Sequence, residues 1–117
     1  LSSRGKFLAL ASSVVRSIAV DHARRRAAQK RDAGPAAAIA VEEIAQFGPQ
    51  VEILSFDHIL HELRELSPRM HTVVEMKVFG GCAVADIAML LDVSERTVKG
   101  DWKTARAWLA SRLPPPA

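Results

Sequence analysis

Between Gly80 and Leu113 the apolar residues keep a helical rhythm, lose it for three residues and resume it in a new register. Val84, Ile87, Ala88 and Leu91 fall at i, i+3, i+4 and i+7, which is one face of a short helix. Asp92-Val93-Ser94 breaks the pattern, and Ser94 is placed to cap the next helix through its hydroxyl. In that second helix Val98, Trp102, Ala105 and Leu109 form an inward stripe. At about 3.6 residues per turn, Arg96, Lys99, Lys103 and Arg106 gather on a neighbouring outer face. A short apolar helix, a tight turn and a helix with a cationic outer face match a DNA-reading helix-turn-helix unit. An ordinary helical hairpin with a solvated charged face has the same pattern, so the rhythm alone leaves both open.

The length of 117 residues suits one domain or two very small ones. The chain is rich in alanine, has no tyrosine and has few β-branched runs, which predicts an all-α protein. A formal net charge of +3 says little until it is divided along the chain. Residues 1–31 hold eight Lys/Arg against one acid, and residues 32–66 hold one Arg against seven acids. Residues 67–117 hold seven Lys/Arg against five acids. Two basic ends around an acidic middle predict separate contacts with a polyanion.

A single cysteine, Cys82, excludes an intrachain disulfide and fits a reducing cytoplasm. No run of about 18 apolar residues is present, so no spanning helix is expected and no membrane partner. Phe7 to Val20 is apolar, but Arg16 interrupts it and a basic run follows where a signal peptide would place small residues. The chain starts at Leu1 inside an expected helix, which suggests a piece of something longer.

In chain order, the first segment predicts a long helix from about Ser3 to Lys30. Phe7, Ala11, Val14 and Ile18 make its inward stripe, widened by Leu8, Val15 and His22. That face must be covered by the C-terminal helices, by a second copy of the chain or by further helices. The helix ends in five cations within eight residues: Arg24, Arg25, Arg26, Lys30 and Arg31. A helix C-terminus stabilises cations, but this run exceeds that role and predicts phosphate contact. His22 is expected to be a partly buried, satisfied histidine.

Residues 33–50, punctuated by Gly34-Pro35 and Gly48-Pro49, read as a linker. Its piece from Ile39 to Phe47 is compatible with a helical turn or a docked extended segment. Val51 to Leu66 predicts a second helix lined by Ile53, Phe56, Leu60 and Leu63. On its other side lie His58 and His61, an i, i+3 pair with metal-binding spacing, and HELRE at 61–65 brushes the zinc-protease pattern. Glu65 stands where that pattern requires its second histidine, so both histidines are read as solvated. Ser67-Pro68 starts a third helix, with Met70, Val73 and Val74 inward, and Gly80-Gly81 ends it.

No catalytic constellation is present. Gly80-Gly81 lacks the further glycine and the Lys-Ser/Thr step of a phosphate loop. Cys82 has no context that marks a nucleophile, and the carboxylates do not pair for acid–base work. The chain reads as a binder and not as an enzyme, with no cofactor and no metal.

The stretch SPRMHTVVEMKVFGGCAVADIAMLLDVSERTVKGDWKTARAWL resembles region 4 of the bacterial extracytoplasmic-function (ECF) sigma factors. The likeness is greatest to the subgroup whose recognition helix ends in D-W-x-x-A-R-A-W-L. Upstream, FLALASSVVRSIAVDHARRRAAQKRD is similar to the last helix of region 2 in that subgroup. The resemblance implies three parts: residues 1–32 as the C-terminal helix of region 2, 33–50 as a linker, and 51–113 as region 4. It implies a subunit that directs RNA polymerase to promoters, with region 4 reading the −35 element and holding the β flap. The region 2 helix would lie near the −10 element, and the rest of region 2 would grip the β′ clamp. Carried over by position, Ser94, Arg96, Thr97, Lys99 and Lys103 face −35 DNA, joined by Arg106, while Arg24, Arg25 and Arg26 steady the duplex near −10.

This chain departs from the subgroup at two helix positions. Ala83 replaces the usual capping serine, at a cost of about 0.5–2 kcal/mol. Gly100 stands where the subgroup tends to carry arginine inside the recognition helix, which costs roughly 1 kcal/mol against alanine and removes a possible DNA contact. The earlier part of region 2, with its grip on the polymerase, is absent from the 117 residues. Candidate partners are promoter DNA, core RNA polymerase, an anti-sigma factor and a second copy joined through the first helix. A free-standing dimeric helix-turn-helix regulator and a pure interaction module are the alternatives. Polymerase binding, the symmetry of the DNA site and the salt dependence of binding separate them.

Overall fold

The structure is a computed structural model that describes residues 3–29, Ile44 and residues 53–113. Every element among the described residues is helical: α1 (Ser3–Gln29), α2 (Ile53–Leu66), α3 (Pro68–Val78), α4 (Val84–Leu91) and α5 (Glu95–Arg112). Most of the predicted linker lies outside the described residues. Ile44, within it, is fully buried in the main core.

Helices α2 to α5 form where the apolar spacing places them. Ser67 caps α3 by accepting a hydrogen bond from the Met70 N–H at 3.2 Å, and Pro68 takes the first helical position, where a missing N–H costs nothing. Beyond Phe79, Gly81 adopts a left-handed φ of 58°, which reverses the chain toward α4. Ala83 stands at the N-cap of α4 and makes no side-chain capping bond.

The stripes of these helices meet in two adjoining cores. The larger gathers Phe56, Leu60, Val74, Val78, Ala105 and Leu109, with Phe56 and Phe79 edge to face at 6.2 Å. The smaller lies between α3, α4 and α5 and contains Val73, Met76, Ile87 and Val98. Trp102 packs against both.

Helix α1 folds back along α2, α3 and α4; of its predicted inward residues Leu8 and Val15 pack against the cores, while most of the central stripe faces outward. Phe7, Val14 and Ile18 are 68 %, 48 % and 41 % exposed, and Leu10 is 66 % exposed. The docked face carries Gly5, Leu8, Ser12, Arg16, Ala19 and Val20. Two physical reasons select it. The approach is close: a Cβ on Gly5 would stand 3.2 Å from the Cβ of Leu90, and one on Gly80 would strike the Ser12 hydroxyl. Phe or Leu at those α1 positions would hold the helices apart. The face also carries Arg16, whose guanidinium donates to Glu75 at 2.6 Å and to Asp57 at 3.0 Å. Burial opposes that charge, but hydrogen bonds to the two carboxylates outweigh it, and the Arg16 pKa rises.

Candidate nucleic-acid interface

The turn between α4 and α5 is made by three residues with separate tasks. Asp92 ends α4 in the left-handed region, at φ 57° and ψ 47°, a conformation that a short polar side chain tolerates. The Val93 N–H donates back to the Ala88 carbonyl at 3.1 Å. Ser94 caps α5, accepting from the Thr97 N–H at 3.0 Å, and its hydroxyl also meets the Thr97 hydroxyl at 2.9 Å. Both hydroxyls expected to face DNA are therefore engaged with each other and with the cap, although Ser94 remains exposed.

Helix α5 is fixed from behind. Val98, Ala105 and Leu109 are fully buried. Asp101, also buried on this inward side, accepts from Arg69 Nε at 2.7 Å and from Arg69 Nη2 at 3.0 Å. This two-bond fork ties α5 to the start of α3 and fixes its rotation as well as its distance. The sequence reading assigns no part to Arg69 or Asp101. An acid three residues after Val98 and four before Ala105 lies on the apolar stripe, and that placement requires a cationic partner.

The outer face is cationic and open. Arg96, Lys99 and Lys103 are exposed and make no hydrogen bond or ion pair with the described residues. The N-terminal positive end of the helix dipole lies close to Arg96, which adds to the attraction for a polyanion. Arg106 is also exposed but stands over the Trp102 ring, with its Cζ 5.7 Å from the ring centroid. Lys77 Nζ lies at the same distance from that ring. The sequence places Arg106 with the other three, whereas its guanidinium is drawn toward the shoulder of the helix by the aromatic face.

The basic end of α1 is not brought to this face. No Cα–Cα pair between α1 and α5 lies within 8 Å. Arg4, near the start of α1, bonds Asp86 on α4 at 3.0 Å. Arg24 and Arg25 are therefore about 30 Å farther along the helix, at 1.5 Å rise per residue. Both are exposed, and the side chain of Arg26 lies outside the described residues, as do Lys30 and Arg31.

The other candidates of the sequence carry no reactive geometry. Cys82 is buried, with Sγ 3.8 Å from the Ser12 hydroxyl, and burial pushes its pKa up, against thiolate formation. His58 and His61 are exposed, and His61 Nδ1 lies 2.8 Å from the carbonyl of Asp57 one turn earlier. Among the described residues no group of three or more His, Cys, Asp or Glu could hold a metal, and no helix is long and apolar enough to cross a membrane.

Residues 1–114 match the family model described as ECF sigma factor. No curated protein and no solved structure matches the chain.

Proposed function

The chain belongs to the ECF sigma factor family of transcription initiation, and from that premise we propose that it directs bacterial RNA polymerase to promoters with α5 reading the −35 element. One observation carries this reading. A capped helix, locked in rotation by Arg69 and Asp101, presents Arg96, Lys99 and Lys103 on one outer face with no partner among the described residues.

On this reading α4 and α5 form the helix-turn-helix. Arg96, near the N-terminus of α5, reaches base edges, where a guanidinium pairs with guanine in two bonds. Lys99 and Lys103 hold phosphates on either side, and Arg106 adds charge at the shoulder. Arg24, Arg25 and Arg26 contact the duplex near −10. Residues 1–32 are the end of region 2, 33–50 the linker and 51–113 region 4, acting in the cytoplasm. The β flap of core polymerase and an anti-sigma factor are the protein partners this assignment supplies.

The test is co-elution of the full chain with core RNA polymerase, followed by affinity for duplex DNA across a salt series. A complex lost on deleting 51–113, with Arg96→Ala costing about 1–3 kcal/mol and relaxing preference at one position, supports the reading. Lys103→Ala should weaken all sequences alike and flatten the salt slope by about one. No complex with polymerase, together with dimeric binding to a symmetric site, would instead support a free-standing regulator. The exposed stripe of Phe7, Leu10, Val14 and Ile18 is the observation that favours that second reading, because it is an apolar helix face open to a second copy.

A further inference from the structure

Four glycines fall within the described residues, and three of them have a reason inside the chain. A Cβ on Gly5 would press on Leu90 at 3.2 Å, and one on Gly80 would meet the Met76 carbonyl oxygen at 2.9 Å. Gly81 has a φ of 58°. Gly100 has none of these. It is the sixth residue of an 18-residue helix, is exposed, and a Cβ built there meets no atom of the described residues within 4 Å. Glycine is less favourable than alanine inside a helix, and no close approach or positive φ among the described residues offsets that here.

The position lies at the centre of the open cationic face. Arg96 precedes it by four residues and Lys103 follows it by three, so one turn on either side carries a free cation on the same face. We propose that Gly100 is a point of close approach to duplex DNA. Its missing side chain lets the backbone of α5 sit against a base edge in the major groove, between the contacts of Arg96 and Lys103. Bare backbone at that point lowers the whole helix in the groove and brings both flanking cations within reach of their acceptors. The inference rests on the reading of α5 as the helix that enters the groove.

The test uses the full chain bound to core polymerase, and a duplex recovered from a random-sequence library by the wild-type complex as probe. Gly100→Ala is expected to raise the unfolding midpoint of the free chain by about 4 °C. The same variant is expected to lower affinity for the recovered duplex at least tenfold, with a smaller loss for unselected duplex, since a lifted Lys103 also loses reach of its phosphate. Gly100→Ser, which also adds a Cβ, must show the same loss of affinity. Undiminished affinity of Gly100→Ala overturns the proposal. A lowered midpoint also overturns it, because the glycine would then serve the fold. Arg96→Ala and Lys99→Ala separate the two levels. If they lose affinity while Gly100→Ala keeps it, the reading of α5 stands and this inference falls. If none loses affinity, or the wild type selects no duplex, both fall.

Discussion

His71 stands half-buried on α3, and burial lowers its pKa from the ordinary value of 6.5. Glu75 acts to raise it, while the charges of Arg64, Arg16 and His61 reinforce the lowering. Above that ordinary value the ring is neutral in both folded and unfolded chains and contributes no pH dependence. As pH falls below it, the unfolded chain takes up the proton before the folded chain does, so stability is lost until the lowered folded pKa is reached. Denaturant titrations across that window should show a decline that His71→Gln removes. The charges that reinforce the burial come from α1 and α2, whose packing against α3 no local pattern reveals.

Among the elements, α4 and α1 are the two that depend most on what surrounds them. Ala83 leaves the first turn of α4 without a side-chain cap. Ala83→Ser should stabilise the fold by about 1 kcal/mol, seen as a shifted denaturant midpoint with an unchanged slope. The docking of α1 depends on Arg16 standing between Asp57 and Glu75, whose side chains are 10 % and 11 % exposed. Arg16→Ala leaves two buried carboxylates unneutralised and should cost about 3–5 kcal/mol, with hydrogen-exchange protection of α1 lost first. Helix α5 was legible in the sequence because its apolar and cationic residues fall on separate faces. The extent of α1 was legible too, but its docked face was not, because apolar residues lie on both sides of it: Phe7, Leu10, Val14 and Ile18 on one, Leu8, Val15 and Ala19 on the other. Periodicity cannot choose between two such faces. The choice is made by ion pairs that reach 41 and 59 residues along the chain, and by a glycine that admits Leu90. Of the candidate site, the cationic face was legible as spacing. The fork of Arg69 and Asp101 was hidden because its members are 32 residues apart.

Across the whole molecule the described residues measure 42 × 29 × 22 Å. On the proposed function the two basic ends serve DNA elements about 25 base pairs apart, or roughly 85 Å at 3.4 Å per base pair. The docked position of α1 cannot serve both at once. Fluorophores on Ser17→Cys and Ala110→Cys, both exposed and outside the proposed contacts, should therefore move apart when chain, polymerase and promoter assemble. An unchanged transfer efficiency would mean that α1 stays docked and makes no contact near −10.

The chain holds two tryptophans, and they occupy unlike places. Trp108 lies beside the main core under Arg112, whereas Trp102 is wedged between both cores with Lys77 and Arg106 over its ring. A chain carrying Trp108→Phe therefore has one emitter, seated at the seam. Its spectrum should redden when the smaller core parts from the larger, while far-ultraviolet ellipticity still shows intact helices. The seam thus supplies a built-in optical gauge of whether α5 remains anchored.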